Sequence, residues 1–280
     1  MVEIVFLGSG GGRIVLDRQV LATGGFRINS PHFKMHADPG PGAFLKSLQH
    51  KQDPVELNAL FCSHAHIDHC NDVNMMIEAM NFGSYDRKKG ILLGSESVIN
   101  GFGKFEKQVD EYFKMMLKEC WAMKAGESYE FLDTKKPDAS KTHSKPPTIK
   151  AMKTSHEDPS CIGFLFEIEG IKIGYTADTE YFRGIAAQFE GADFMVFNCL
   201  RPDNEKLEFH MAASEVIAIL NEMVKKPKLC FLTHLGMKFL QAGKEAQRKK
   251  VQEETGVPIM LAEEGLKLDL NELMSQRKLV

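Results

Sequence analysis

Short apolar runs of β-strand type recur along the chain, and they end in polar or glycine-rich turns. The runs span residues 2–7, 57–62, 91–94, 161–168, 171–177, 193–198, 228–233 and 258–263. They fall into two groups, with helical patterns between and outside them. Sheets of such strands are covered by helices, so the sequence predicts a layered α/β fold.

Helical periodicity occupies several of the intervals between the runs. Apolar residues recur at spacings of three and four over 71–82, 105–119, 180–190, 211–225 and 237–254. The stretch EIEGIKIGY predicts a hairpin around Gly170. A chain of 280 residues can bury a full core, and we expect one domain over 1–280.

Composition excludes some classes of function. The formal net charge of −3 gives no global basic field for nucleic acid or an anionic membrane. No apolar run approaches the ~18 residues of a membrane span, and the first residues lack a signal-peptide pattern. Six scattered cysteines without CxxC pairs indicate reduced thiols. A soluble, cytoplasmic protein without a membrane partner is therefore expected.

The stretch FCSHAHIDHCND, residues 61–72, crowds His64, His66, Asp68 and His69 into six positions. The cluster follows the buried strand predicted at 57–62 and precedes a helix, which is where α/β folds build sites. Imidazole and carboxylate are ligands that suit zinc. Because metal sites rarely close on one segment, further ligands are expected at other strand ends.

Three more residues of ligand type follow strand-like runs. His156 follows the strand predicted near 148–153, Asp178 follows 171–177, and His234 follows 228–233. Each alone is explained as a helix cap or a satisfied polar group, and Asp178 in ADTEYF also fits an N-cap. Together with the first cluster they indicate a metal centre.

This HxHxDH pattern, followed by separate His, Asp and His residues, resembles the metallo-β-lactamase-fold hydrolase superfamily over nearly the whole chain. The resemblance implies a four-layer αββα sandwich. It also implies two divalent ions, one held by His64, His66 and His156, the other by Asp68, His69 and His234, with Asp178 as a bridge. Zinc is the expected metal, and Mn²⁺ or Fe²⁺ are the alternatives.

Details of the motif separate the branches of that superfamily. Members that hydrolyse β-lactams have no histidine after the motif's aspartate and carry a cysteine at the bridging position, whereas this chain has His69 and Asp178. Di-iron oxygen-reducing members have an acidic residue where this chain has His66. Zinc hydrolysis therefore fits best, although glyoxalase II-like and iron-dependent relatives share much of the ligand set.

The segment EFHMAASEVIAILNEM places His210 before a predicted helix. It is similar to the histidine motif of the tRNase Z and phosphodiesterase branch, which implies that His210 protonates a leaving oxygen or stabilises developing charge. The alternative is a histidine that caps its own helix. Asp68 is expected to accept a proton besides binding metal, and Glu208 is a candidate to orient His210.

One feature departs from tRNase Z, whose protruding arm lies between the third histidine and the bridging aspartate. Only 21 residues separate His156 from Asp178, and the predicted hairpin uses nearly all of them. The chain instead has a helical or loop insertion around 84–147, including a Lys- and Pro-rich loop at 133–150. A small-molecule or nucleotide phosphodiester is thus favoured over pre-tRNA. The end of a nucleic acid, bound without an arm, is the other substrate that fits.

The predicted function is a dinuclear zinc phosphodiesterase in which two adjacent ions generate a hydroxide nucleophile. The alternative is a hydrolase of a lactone, thioester or other carbonyl ester, and a scaffold without turnover is disfavoured by the intact ligand set. A homodimer is compatible with the sequence, which does not fix the oligomeric state.

Two glycine-containing turns complete the candidate site. The turn GSGGGR at 8–13 lacks the spacing and lysine of a phosphate-binding loop, so a tight turn with close backbone approach is expected, with Arg13 as a candidate contact for an anionic substrate. The turn DPGPG at 38–42 carries Asp38, which the resemblance places near the metals, where it would orient their ligands.

Overall fold

The structure is a computed structural model that describes residues 1–82, 88–132 and 145–276. In those ranges the strands, numbered β1 to β15, are Glu3–Gly8, Thr23–Asn29, Lys34–Ala37, Ala59–Cys62, Ile91–Gly94, Glu119–Ala122, Ser128–Glu130, Thr148–Lys153, Ile162–Ile168, Ile171–Tyr175, Phe194–Arg201, Met211–Ala212, Leu229–Thr233, Ile259–Leu261 and Lys267–Asp269. The helices, α1 to α11, are Arg13–Arg18, Ala43–Gln49, Ile67–Cys70, Val73–Asn81, Glu96–Ile99, Glu111–Lys114, Ile185–Gln188, Ala213–Glu222, Met237–Gln241, Lys244–Thr255 and Leu270–Ser275.

The strands form two mixed sheets. The first has the order β15-β1-β2-β3-β4-β5-β6, and the second has the order β14-β13-β11-β10-β9-β8-β7, with β12 beside β11. Strands β3 to β6 are parallel to one another, as are β10, β11, β13 and β14. Parallel neighbours end at the same edge of a sheet, so residues that follow them are brought together.

The inner faces of the two sheets pack against each other through aromatic rings. The ring of Phe61 in β4 lies 4.9 Å from that of Phe164 in β9, and the ring of Phe26 in β2 lies 5.1 Å from that of Tyr175 in β10. All four side chains are buried. Face-to-face packing of this kind defines the centre of a sandwich.

Helices cover the two outer faces. Met76 and Ile77 of α4 pack in one cluster with Leu60 of the first sheet. Val216 of α8 packs in another cluster with Phe197 of the second sheet. The arrangement is the four-layer αββα sandwich that the family resemblance implies.

Most of the predicted elements are present. All eight predicted strand runs contain strands, and the hairpin between β9 and β10 turns at Glu169 and Gly170, both with positive φ. Paired left-handed residues match the right-handed twist of the flanking strands. This hairpin fills the interval between His156 and Asp178, as predicted from its length.

The prediction of a helix over 105–119 is wrong. Helix occupies only Glu111–Lys114, and the chain continues from Glu119 as β6, paired in parallel with β5. The apolar periodicity of this segment instead reflects burial of Val109, Met116 and Leu117 against the outer face of the first sheet. Strand pairing here outweighs local helical preference.

The insertion predicted around 84–147 lies partly outside the described residues, because 83–87 and 133–144 are not among them. Its described part carries β5 and β6 of the first sheet and β7 at the edge of the second. That part therefore extends the sandwich itself. Across the described ranges, no helix is long and apolar enough to cross a membrane.

Phe164→Ala is expected to lower the free energy of unfolding by about 3–5 kcal/mol, because it empties the space between the sheets. The side chain is 0% exposed and its ring also contacts that of Tyr175 at 5.3 Å. Urea unfolding followed by circular dichroism measures the change. Val224→Ala, at a side chain that is 95% exposed, is the control. A loss as small as that of the control would contradict the proposed packing.

Candidate metal centre

The seven predicted ligands meet at one edge of the sandwich. His64, His66, Asp68 and His69 follow β4, and each of the other three follows a strand of the second sheet: His156 after β8, Asp178 after β10 and His234 after β13. No helix begins at Asp178, since α7 begins at Ile185. The alternative role of Asp178 as a helix N-cap is therefore excluded.

The ligand atoms fall into two adjacent groups. Those of His64, His66 and His156 lie within 4.8 Å of one another, as do those of Asp68, His69 and His234. Asp178 lies between the groups: its Oδ2 is 3.9 Å from Nε2 of His64, 3.4 Å from Nε2 of His69 and 3.3 Å from Nε2 of His234. The geometry thus brings together every residue that the sequence proposed as a ligand.

Hydrogen bonds fix the tautomers of two of these histidines. The Ser63 hydroxyl donates its proton to Oδ2 of Asp38 at 2.7 Å, so it accepts from Nδ1 of His64 at 2.9 Å. Nδ1 of His69 also donates to Oδ2 of Asp38, at 2.8 Å, because a carboxylate only accepts. Both rings therefore present an unprotonated Nε2 to the centre in their neutral form.

This arrangement fits a divalent metal. Nε2 of His64 is buried and has no hydrogen-bond partner among the described residues, and the same holds for Nε2 of His156. A buried polar atom without a partner is costly unless a ligand satisfies it. Neutral imidazoles oriented by a carboxylate or hydroxyl through the other ring nitrogen are typical of metal ligands.

His156 is oriented differently. The backbone N–H of Asp158 donates to its Nδ1 at 3.1 Å, which in the neutral ring leaves the proton on Nε2. Binding of a metal through Nε2 would require this hydrogen bond to change. The pKa of His156 falls to about 4, chiefly because the ring is buried, so the ring is uncharged near neutral pH.

The charges of the site complement a cation. Burial, together with neighbouring histidines, holds the pKa of His64 well below its ordinary value. Burial alone would raise the pKa of Asp178, but His234 and His69 outweigh it and keep the carboxyl ionised. For His69, burial opposes the charged ring while Asp178 and Asp68 raise its pKa well above the ordinary value. A metal ion would replace the proton that these carboxylates otherwise attract.

His210 completes the centre on its open side. Its Nδ1 donates to the backbone carbonyl of Glu208 at 3.2 Å, and its Nε2 lies 3.4 Å from Oδ2 of Asp178. The side chain of Glu208 is therefore not what orients the ring. His210 does not cap α8, because the carboxylate of Glu215 accepts from the backbone N–H of Ala212 there.

The ligand atoms of His156, Asp178 and His210 also lie within 4.8 Å of one another. The geometry is thus compatible with metal binding by His210 as well as with a role toward substrate. That His210 acts on substrate without binding metal stays a prediction.

A cleft of about 530 Å³ opens over the centre, with Asp68, Asp178 and His210 in its wall. Other residues that line it include three cations, several apolar side chains and one carboxylate: Arg13, Arg201, Lys238, Ile14, Leu200, Leu207, Met237 and Glu157. Glu157 is paired with Lys104. Gly11 also lines the cleft, and a Cβ there would meet the His234 ring at 2.3 Å. The close backbone approach expected of the glycine turn is confirmed.

Sequence reasoning missed several residues of the site. Tyr175 donates from its hydroxyl to Oδ2 of Asp38 at 2.6 Å, and Asn198 donates to Oδ1 of Asp178 at 2.7 Å. Both belong to predicted strand runs. The polar residue that ends the apolar run 193–198 was the available signal for Asn198.

A family model described as the beta-lactamase superfamily domain matches residues 34–235. The chain belongs to the beta-lactamase superfamily. The matched region contains all seven ligand positions and His210. Membership in this superfamily of metal-dependent hydrolases agrees with the clusters of histidine and aspartate at the centre.

The chain is also similar to individual proteins and to solved structures. The chain is 39% identical to an uncharacterized protein of Methanocaldococcus jannaschii, over 96% of this chain and 95% of the relative. It is 25% identical to ribonuclease Z of Sulfolobus acidocaldarius, over 70% and 75%. The crystal structure of the metallo-beta-lactamase fold protein YhfI from Bacillus subtilis superposes with a TM-score of 0.72 at 20% identity, over 95% and 98%. This last similarity confirms the fold.

Asp38→Asn is expected to weaken metal binding about 10–100-fold, the usual effect of removing a partner that orients a ligand. Asparagine tolerates the left-handed backbone of Asp38 (φ 51°) but replaces one acceptor oxygen by a donor. Competition with a chromophoric chelator measures the affinity. Asp53→Asn, at a carboxylate that accepts from the backbone N–H of Val55, is the control. Equal affinities in both variants would contradict the role given to Asp38.

Proposed function

We propose that the protein is a phosphodiesterase that uses two divalent ions, with zinc as the expected metal. The observation that carries the proposal is the cation-lined cleft beside His210. Arg13, Arg201 and Lys238 line the same cleft as Asp68 and Asp178. Cations attract an anionic phosphodiester and screen it from the carboxylates below, whereas a neutral ester has no need of them.

The ion pairs that these cations form within the protein neutralise only part of their positive charge, and the rest is available to a substrate. Lys238 pairs with Glu205 at 2.7 Å, and Arg201 lies 3.9 Å from the same carboxylate. One carboxylate is thus shared by two cations. Arg13 is exposed at the start of α1 and adds a third cation to the cleft.

Two adjacent ligand groups support the proposal of two ions. We place one ion on His64, His66 and His156 and the other on Asp68, His69 and His234, with Asp178 shared between them. When bound, two such ions polarise a phosphoryl oxygen and lower the pKa of water toward neutrality. The protein's own part is to hold the ligands, to orient the diester and to move protons.

His210 and Asp68 have the positions needed for proton transfer. Nδ1 of His210 donates to the Glu208 carbonyl. Burial alone would lower the pKa of His210, but Asp178 outweighs it and raises the pKa, which favours the charged ring with a second proton on Nε2. That Nε2 proton is the one that would pass to the leaving oxygen or stabilise its charge. Burial would raise the pKa of Asp68, but His69 and His234 hold it below the ordinary value. An ionised Asp68 at the wall of the cleft can accept a proton from the attacking water.

The size of the cleft favours a small substrate. A volume of about 530 Å³ lies in the usual range for small-molecule and cofactor sites. The β9–β10 hairpin occupies the interval where the tRNase Z arm would be inserted. A small-molecule or nucleotide phosphodiester is therefore proposed in preference to pre-tRNA, even though one relative is a ribonuclease Z.

A carbonyl-ester hydrolase is the second candidate. Ile14, Leu200 and Leu207 give the cleft an apolar side, which would suit the acyl chain of a lactone or thioester. The same metal chemistry polarises a carbonyl oxygen. Comparison of a phosphodiester panel with a lactone and thioester panel, on protein loaded with defined metals, decides between the two. Higher kcat/KM on the carbonyl panel would overturn the proposal.

His210→Ala is expected to lower kcat on phosphodiesters by about 10²–10⁴-fold, the range for loss of a general acid or a charge-stabilising donor. If the role is proton donation, the loss is smaller for bis(p-nitrophenyl) phosphate, because its leaving group needs no proton. An equal loss on both diester types indicates charge stabilisation. His32→Ala, at an exposed turn, is the control. Loss of metal or unchanged kcat would contradict the assignment.

Asp178→Ala is expected to lower metal occupancy in both groups, because its Oδ2 contacts histidines of each. Elemental analysis after reconstitution measures the ions per chain, with about two expected in the unaltered protein. Asp17→Ala, at an exposed residue of α1, is the control. Two ions retained with unchanged affinity would show that Asp178 is not shared.

A further inference from the structure

The two carboxylate oxygens of Asp178 have different surroundings. Oδ2 faces the imidazoles and lies 3.3 Å from Nε2 of His234 and 3.4 Å from Nε2 of His69. Oδ1 instead accepts a hydrogen bond of 2.7 Å from Nδ2 of Asn198. The carboxylate is therefore held with one oxygen toward the ligand groups and the other toward the protein.

Asn198 is itself fixed. It lies in β11 with only 3% of its surface exposed, and its backbone N–H donates to Oγ1 of Thr176 at 3.1 Å. Nδ2 also lies 3.2 Å from the hydroxyl of Tyr175, and that hydroxyl has already given its proton to Oδ2 of Asp38. Nδ2 thus donates to two acceptors at once.

The orientation of this amide is determined by its partners. A reversed amide would place the carbonyl oxygen against the Asp178 carboxylate and the Tyr175 oxygen, where only a donor is stable. In the observed orientation Oδ1 of Asn198 has no hydrogen-bond partner among the described residues. An unpartnered buried acceptor is costly, so the contacts of Nδ2 must outweigh that cost.

We propose that Asn198 is a positioning residue that restricts Asp178 to a single oxygen, Oδ2, for sharing between the two metal ions. This inference rests on the proposed two-ion centre. A carboxylate that is free to rotate can bind one ion through both oxygens and leave the other ion without its shared ligand. The donor on Oδ1 prevents that rotation, because the carboxylate would lose a short, charge-assisted hydrogen bond.

The hydrogen bonds of Asn198 also link Asp178 to His69 through buried side chains. From Oδ1 of Asp178 the hydrogen bonds lead through Asn198 and the Tyr175 hydroxyl to Asp38, which accepts from Nδ1 of His69. His69 belongs to one ligand group, and Asp178 touches both. Without Asn198, Asp178 would be free to hold one ion through both of its oxygens and would no longer be shared with the other. Loss of Asn198 should therefore weaken the binding of one ion more than that of the other.

The test is a Co²⁺ titration of the metal-free protein, followed by visible absorption and calorimetry. For Asn198→Ala we expect one ion bound with affinity near that of the unaltered protein and the second weakened about 10–100-fold. The absorption bands should also change, because they report the coordination of each ion. Asn198→Asp, which keeps the shape but replaces the donor by a carboxylate, should show the same separation of affinities.

Asn29→Ala is the matched control. It removes another buried strand amide, whose Nδ2 donates to Oε1 of Gln52 at 2.9 Å and whose Oδ1, like that of Asn198, has no hydrogen-bond partner among the described residues. The contact of Asn198 with Asp178 stays in place. This variant is expected to lose stability in urea while keeping two ions of unchanged affinity and spectrum. If Asn198→Ala does not fold, the isosteric Asn198→Asp carries the comparison.

Two ions bound by both Asn198 variants with unchanged affinity and spectrum would overturn the inference, as would equal weakening of the two ions in both. These readouts do not depend on turnover. A protein that binds two ions but cleaves no phosphodiester would refute the proposed function and leave the role of Asn198 to be decided by the titration.

Discussion

The centre depends on the hydrogen bonds that the buried Asp38 carboxylate accepts. The carboxylate accepts from Ser63 and His69 of the first half of the sandwich and from Tyr175 of the second sheet. Through Ser63 it also determines the tautomer of His64. One buried anion thus joins the two sheets and orients two ligand rings. Such an anion is stable only when its oxygens are fully hydrogen-bonded, which ties the order of the site to the packing of the sheets.

Backbone strain marks the same region. Asp38, Ala177 and His234 have left-handed φ values of 51°, 53° and 57°, and each lies one or two residues beyond the end of a strand. Such conformations cost on the order of 1–3 kcal/mol for residues other than glycine and persist only where the surroundings hold them. Here they turn the chain sharply, so that side chains face across the edge of the sandwich. Regular strand ends would have directed those side chains along the sheets.

The sequence was sufficient to predict which histidines and aspartates gather at one edge of the sandwich, and to predict the main apolar strands, because both depend on local patterns. It did not reveal β2 and β3, which contain paired glycines, Arg27 and His36. Arg27 is fully buried and donates to the Gln52 carbonyl at 2.7 Å, and His36 contacts the Gly24 carbonyl at 2.7 Å. These polar residues are satisfied by distant backbone groups, and no local pattern records such partners. The positions of Tyr175 and Asn198 beneath the centre depend in the same way on how neighbouring strands align.

The cleft and the ligands are built from largely separate pieces of chain. Arg13 and Ile14 begin α1, Leu207 lies in the turn before β12, and Lys238 lies on α9, whereas the hydrogen bonds that orient the ligands run through the strand ends and the buried floor. Substitutions in α1, in α9 or in the turn before β12 alter the shape and charge of the cleft without changing the hydrogen bonds that orient the ligands. One inorganic core can therefore be adapted to different molecules by surface change alone, and substrate preference can diverge faster than the chemistry.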